Sequence, residues 1–188
     1  MPSAPLPPPR MMPVPNVHSI VNVYDSSLGP PTDAGAWSTH TLSVARAWVA
    51  VVHVGDEILF AGGADGGFGT PVSDVVDVYD VATGAWRVEA LSEPRAEDAA
   101  VSVGGYALFC GGNPHNTGNG GPASARIDVY DAATRTWSQA SLAVPRVWLQ
   151  ATAVGPYALF AGGYDVTFGG VSDVVEIYDS RIGPPTDP

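Results

Sequence analysis

The sequence predicts an all-β chain built from repeated four-stranded antiparallel units. The first observation is a recurring phrase: "ILFAGG" (58–63) returns as "ALFCGG" (107–112) and "ALFAGG" (158–163). The second is its spacing. The last glycine of each copy falls at 63, 112 and 163, so the step is 49 and then 51 residues. The third is the texture of the segments between. They are short runs rich in Val, Ala, Leu and Phe, separated by turn residues, and no stretch combines a 3.6-residue period with helix caps.

Four elements recur in fixed order. Position A is an apolar run opened by an arginine, as in "VARAWVAVVHVGD" (44–56), "EPRAEDAAVSVGG" (93–105) and "VPRVWLQATAVGP" (144–156). Position B is the run ending in Gly-Gly. A Gly-rich loop leads to position C, "VVDVYD" (75–80), "RIDVYD" (126–131) or "VVEIYD" (174–179). A turn, "TGAW" (83–86) or "TRTW" (134–137), begins position D. Four strands per repeat of about 50 residues is the period of a β-propeller blade.

The chain enters this cycle part-way. It starts with C and D, "IVNVYD" (20–25) and then Trp37 after a longer loop. Complete units follow at 46–86 and 95–137, and A, B and C at 146–179 come last. That makes 13 strands, about three to three and a half blades, over residues 20–182. The phrases "YDSSLGPPTD" and "YDSRIGPPTD" place Gly29 and Gly183 154 residues apart, three repeat lengths. Three blades are too few for a ring. Two completions are open: a homodimer closing a six-bladed ring, or a three-blade cassette within a longer chain. Half of six blades needs 12 strands, so the extra copy of C weighs towards the cassette. Residues 1–19 read as a Pro-rich extended tail and 183–188 as a Pro-rich terminus.

The ordered Gly-Gly, Tyr-Asp and Trp, with Tyr79 seven residues before Trp86 and Tyr130 seven before Trp137, resemble the kelch motif. The resemblance covers about residues 20–182 and implies a kelch-type propeller acting as a non-catalytic recognition module. Kelch propellers are most often adaptors, so a protein partner is expected first and a glycan second. Gly62, Gly63, Gly111, Gly112, Gly162 and Gly163 are expected to end a strand where the backbone needs positive φ or close approach. Tyr79, Trp86, Tyr130, Trp137 and Tyr178 are motif residues, the Tyr and Trp pairs being expected to pack between neighbouring sheets.

Candidate binding residues are those that differ between units on the loop face. Arg46, Arg95 and Arg146 open each A segment, and Trp48, Glu97 and Trp148 stand two residues later. One reading is a mouth of aromatics and arginines that stacks on a sugar or grips an acidic or aromatic peptide. The other has both tryptophans filling the channel and the arginines bridging to carboxylates or loop carbonyls. The loops between B and C add Asn113, His115, Asn116 and Asn119. The outer two loops share Asp65/Asp165, Phe68/Phe168 and Asp74/Asp173, whose spacing fits no calcium loop.

Composition excludes several classes. Eight basic residues, all arginine, stand against 19 acidic ones, giving a net charge of −11 that disfavours nucleic acid and anionic membranes. No apolar run is long enough for a membrane helix. The histidines His18, His40, His53 and His115 share neither i, i+4 spacing nor repeat phase, so no metal is expected. Cys110 replaces Ala61 and Ala161 and reads as a small buried thiol. One free cysteine and no signal-like start are compatible with a cytoplasmic setting, though they do not fix the compartment. No cofactor is expected. An enzyme similar to galactose oxidase would need ligands that cannot be matched residue by residue.

Overall fold

The computed structural model describes residues 19–116, 122–165 and 169–183. The Pro-rich stretches 1–18 and 184–188, and with them His18, lie outside the described residues, as do Asn119 and Phe168.

Strands form where the sequence alternates or runs apolar between glycine turns. The chain opens with β1 (Ile20–Tyr24) and β2 (Trp37–Thr41), paired antiparallel and joined through a short 3₁₀ turn capped by Asp33. Next is a four-stranded meander of β3 (Ala50–Val54), β4 (Glu57–Ala61), β5 (Val75–Asp80) and β6 (Ala85–Ala90). A second meander has β7 (Ala99–Val103), β8 (Tyr106–Cys110), β9 (Arg126–Asp131) and β10 (Thr136–Ser141). The last large sheet has β11 (Gln150–Val154), β12 (Tyr157–Ala161) and β15 (Val175–Asp179). The A, B, C, D order read from the repeat is therefore the hydrogen-bonded order. One pairing was not expected: Tyr164–Asp165 and Gly170–Val171 form a small extra hairpin, β13 and β14. It lies in a segment read from sequence as a loop. In the first meander the corresponding loop makes only an isolated bridge, Ala64 to Val72.

The sheets pack face to face, β3 against β7 and β7 against β11, and do not close into a ring. Two apolar layers result. Val52, Val54, Leu59, Val76 and Val78 of the first meander meet Phe109 and Tyr130 of the second. Val101, Leu108, Ile127 and Val129 of the second meet Leu149 and Phe160 of the third sheet. Burial follows the neighbour, not the residue type. Val76 and Val78 are 0% exposed between sheets, whereas their repeat equivalents Val175 and Ile177 on the third sheet are 54% and 64% exposed.

The motif residues join one sheet to the next. Tyr130 is buried against the first meander, where its hydroxyl donates to Glu57 Oε2 at 2.6 Å and accepts from Arg87 Nη2 at 2.7 Å. The Trp137 indole N–H donates to Glu89 Oε2 at 2.5 Å. Tyr79 and Trp86 pack tilted against each other and neighbour His40 of β2, with ring centroids 5.5 and 5.9 Å from it. Tyr178 packs on the layer between the last two sheets. The repeated phrase repeats its geometry too: the Tyr24 hydroxyl bonds Gly29 O, and the Tyr178 hydroxyl bonds Gly183 O.

All six glycines of the Gly-Gly pairs have positive φ. In the first pair the reason is also steric. A Cβ on Gly62 would lie 2.5 Å from Arg95 O of the next sheet, and one on Gly63 2.5 Å from Ala47 O. The Gly63 N–H donates to that same Arg95 carbonyl at 2.9 Å, so two backbones touch where a side chain would separate them.

Candidate functional site: an acidic cleft between two tryptophans

The segment before each A strand is fixed by the same parts. In the first unit Ala47 bridges Ala64, in the second Ala96 bridges Asn113, and in the third Val147 bridges Tyr164. The residue after each bridging position must then turn the chain into the strand, and it does so in the left-handed region. Trp48 has φ 55°, Glu97 φ 62° and Trp148 φ 57°. Left-handed backbone costs a residue with a Cβ about 1–2 kcal/mol. The tertiary structure imposes that cost three times, once per unit.

The turn throws these three side chains towards one open cleft of about 420 Å³. Trp48 and Trp148 line it and stay 40% and 49% exposed in the unclosed arc. Each is backed by another ring. Trp48 stacks on Phe68 at 5.4 Å with an interplanar angle of 27°, and Trp148 meets Tyr164 at 6.2 Å. Glu97 stands in the cleft at the repeat position of the two tryptophans, and its Oε2 is buried without a hydrogen bond.

The next position carries a group that the sequence reading missed. Val49 and Leu149 line the cleft, and their equivalent in the middle unit is Asp98. The Asp98 side chain is fully buried, and apart from its own backbone N–H no described residue donates a hydrogen bond to its carboxylate. Its nearest cation is the Arg95 guanidinium, 3.9 Å away. Burial pushes the Asp98 carboxyl up to about 7, against the downward pull of Arg95 and with a further upward push from Asp128. The signal was available: a carboxylate stands where two sister units place an aliphatic side chain.

The three arginines, weighed as binding residues, are buried and serve the scaffold. Arg46 Nη2 donates to Phe60 O at 3.1 Å and to Asp77 Oδ2 at 2.9 Å. Arg95 bonds Phe109 O and lies 2.7 Å from Asp128. Arg146 bonds Gly162 O, Val174 O and Glu176. The same three acids also accept a backbone N–H from the linker into each unit, from Ser43, Ser92 and Ala143. Both structural roles foreseen for these arginines, an ion pair and carbonyl bonds, are filled at once. The mouth is therefore aromatic and acidic, not aromatic and basic.

The middle loop is corrected in the same way. Asn113 is buried, with its backbone in the bridge to Ala96 and its Oδ1 accepting from His115 N at 3.0 Å. Asn116 is buried too. Its Nδ2 donates to Gly67 O and Thr70 O at 3.0 and 3.1 Å, tying this loop to that of the first unit. Only His115 of the three is exposed. Cys110 is free and buried, and burial raises its thiol well above its ordinary value. Among the described residues no three His, Cys, Asp or Glu side chains group as a metal site, and no helix is long and apolar enough to cross a membrane.

No protein-family model matches the chain, and no curated protein matches it.

Proposed function

We propose that this chain is a kelch-type β-propeller segment and that it works as a non-catalytic module recognising a protein partner through the face that carries the cleft. One observation carries the reading: two exposed tryptophans border one cleft, each held there by a left-handed residue. Such residues persist where the surroundings over-determine them, and they cluster at binding sites. Large, stiff aromatics half-open to solvent are the usual anchors of protein interfaces. The recurring Gly-Gly, Tyr-Asp and Trp supply the frame, and the cleft is where the units differ.

A second reading is glycan binding. The openness of Trp48 and Trp148 favours it, since an exposed indole face can stack on a sugar ring.

The test is a paired screen. The protein is panned against a random displayed-peptide library and against an oligosaccharide array, alongside a Trp48→Ala/Trp148→Ala double variant. Peptides enriched by the parent and lost by the variant support protein recognition. Tryptophan-dependent hits on the array alone move the function to glycans. If retained ligands bind parent and variant equally, the cleft is not the site.

A further inference from the structure

We propose that the cleft between Trp48 and Trp148 takes a cationic side chain, an arginine or lysine presented by the partner. This rests on the reading that the face recognises a protein, and it names the chemistry of what enters.

The cleft is built for positive charge. Two indole rings line it, and cations are drawn to the faces of such rings. Glu97 lies between them in repeat phase, with a buried oxygen that no described group satisfies. Next to it, the Asp98 side chain is fully buried, and no other described residue donates a hydrogen bond to its carboxylate. A buried carboxylate so sparsely bonded is a costly arrangement, and an incoming multi-donor cation relieves it. Among the described residues no basic side chain lines the cleft. The nearest, Arg95, is fully buried and engages Asp128 at 2.7 Å, so its charge is already opposed. Glu97 and Asp128, with Asp98 about half ionised near pH 7, outweigh Arg95, so the floor stays negative. Gln150, which also lines the cleft, is neutral, and its amide donates to Leu149 O at 3.2 Å. An acidic peptide would meet repulsion here. The middle unit alone places acids at both positions, while its neighbours place Trp48–Val49 and Trp148–Leu149. The acid is therefore central and the aromatics lie to either side.

The experiment follows the indole N–H resonances of the 188-residue protein during titration with blocked pentapeptides, Gly-Gly-Arg-Gly-Gly and its Lys and Glu counterparts, and with cellopentaose. The expected result is that the Arg and Lys peptides shift the Trp48 and Trp148 resonances at millimolar concentration, while the Glu peptide does not. Glu97→Gln should weaken the Arg peptide roughly five- to tenfold. Asp33→Asn removes the same charge from a remote exposed turn whose cap an Asn can keep, and it should change affinity by less than about twofold. Equal weakening by both variants would reduce the effect to overall charge and overturn the proposal. Shifts by the Glu peptide or cellopentaose, without shifts by the Arg peptide, would also overturn it. The reading beneath it fails separately. Tryptophan-dependent peptides that lack basic residues would sink the cation pocket and leave protein recognition standing.

Discussion

The Gly-Gly pairs allow one repeat position to be tested in two environments. Gly62 and Gly162 have the same backbone, with φ 65° and 67°. A Cβ on Gly62 meets Arg95 O of the next sheet at 2.5 Å, whereas one on Gly162 meets nothing within 4 Å. Alanine at either position accepts left-handed strain of about 1–2 kcal/mol. It recovers about 0.4–1 kcal/mol by stiffening the unfolded chain. Gly162→Ala should therefore destabilise by about 0–1.6 kcal/mol. Gly62→Ala must also push the Arg95 carbonyl away, straining two backbones and weakening the 2.9 Å bond from Gly63 N–H. Overpacking costs about 1–3 kcal/mol and the lost bond about 1 kcal/mol. The difference between the variants should be roughly 2–4 kcal/mol, or about 4–16 °C in Tm for a chain of this size. Urea unfolding followed by circular dichroism measures it. Gly111, whose Cβ would meet Arg146 O at 2.6 Å, should behave as Gly62 does. Equal losses for Gly62→Ala and Gly162→Ala in a sample shown to be monomeric would refute the account of sheet-to-sheet contact.

Other expectations follow from the same geometry. Asp98 has a folded pKa of about 7, above its unfolded value near 4, so its stabilising contribution is present below about pH 4 and is lost as the pH rises to about 7. Asp98→Asn should gain stability relative to the parent across that window and then level off, and a flat difference would count against a buried, uncompensated acid. Asp128→Asn should cost about 3–5 kcal/mol, because the fully buried Arg95 keeps one carbonyl partner and only carboxylates 3.9 Å away, whereas Glu176→Gln should cost only about 1–2 kcal/mol, because Arg146 keeps two carbonyl partners; chemical denaturation ranks them. Trp48→Ala and Trp148→Ala should each change stability by no more than about 1 kcal/mol, since both rings are nearly half exposed; loss of the folded spectrum would return them to a core role. The third sheet, with Val175 and Ile177 uncovered, should make the protein self-associate with concentration, and Ile177→Glu should reduce that; light scattering showing a constant monomer for the parent would contradict it.

The repeat made the strand order legible before any coordinates. A phrase recurring at 49 and 51 residues cannot drift in register, and C–D, A–B–C–D, A–B–C–D, A–B–C is the order in which the strands pair. Roles that depend on burial were less legible. Arg46, Arg95 and Arg146 looked alike as candidates for a ligand and for a salt bridge, because sequence gives no distance to Asp77, Asp128 or Glu176. Nothing in Trp or Glu announces positive φ, so the turn that aims residues 48, 97 and 148 could not be read. Asn116 resembled a loop-face donor, and its bonds to Gly67 and Thr70 cross between units, a contact no local pattern encodes. Asp98 could have been found by comparing repeats position by position, which exposes an acid among aliphatics.

That comparison also separates scaffold from site. Positions that repeat unchanged, such as the Gly-Gly pair, hold one sheet against the next, and their equivalents behave alike wherever a following sheet exists. Positions where the repeat breaks are candidates for chemistry, but only if the break is not itself packing. Gln150 and Thr152 replace Ala50 and Val52 of the first meander and Ala99 and Val101 of the second, and they lie on the face of β11 that has no neighbouring sheet. Their polarity fits a wetter surface near the A strand, while Val175 and Ile177 keep the outer part apolar. The Glu97–Asp98 break has no such explanation. It falls in the middle unit, with sheets packed on both sides, where an apolar pair would cost nothing and an acid pair costs burial. Two carboxylates at that position, in a cleft that two tryptophans line, make the middle unit the place where the proposed recognition is to be tested first.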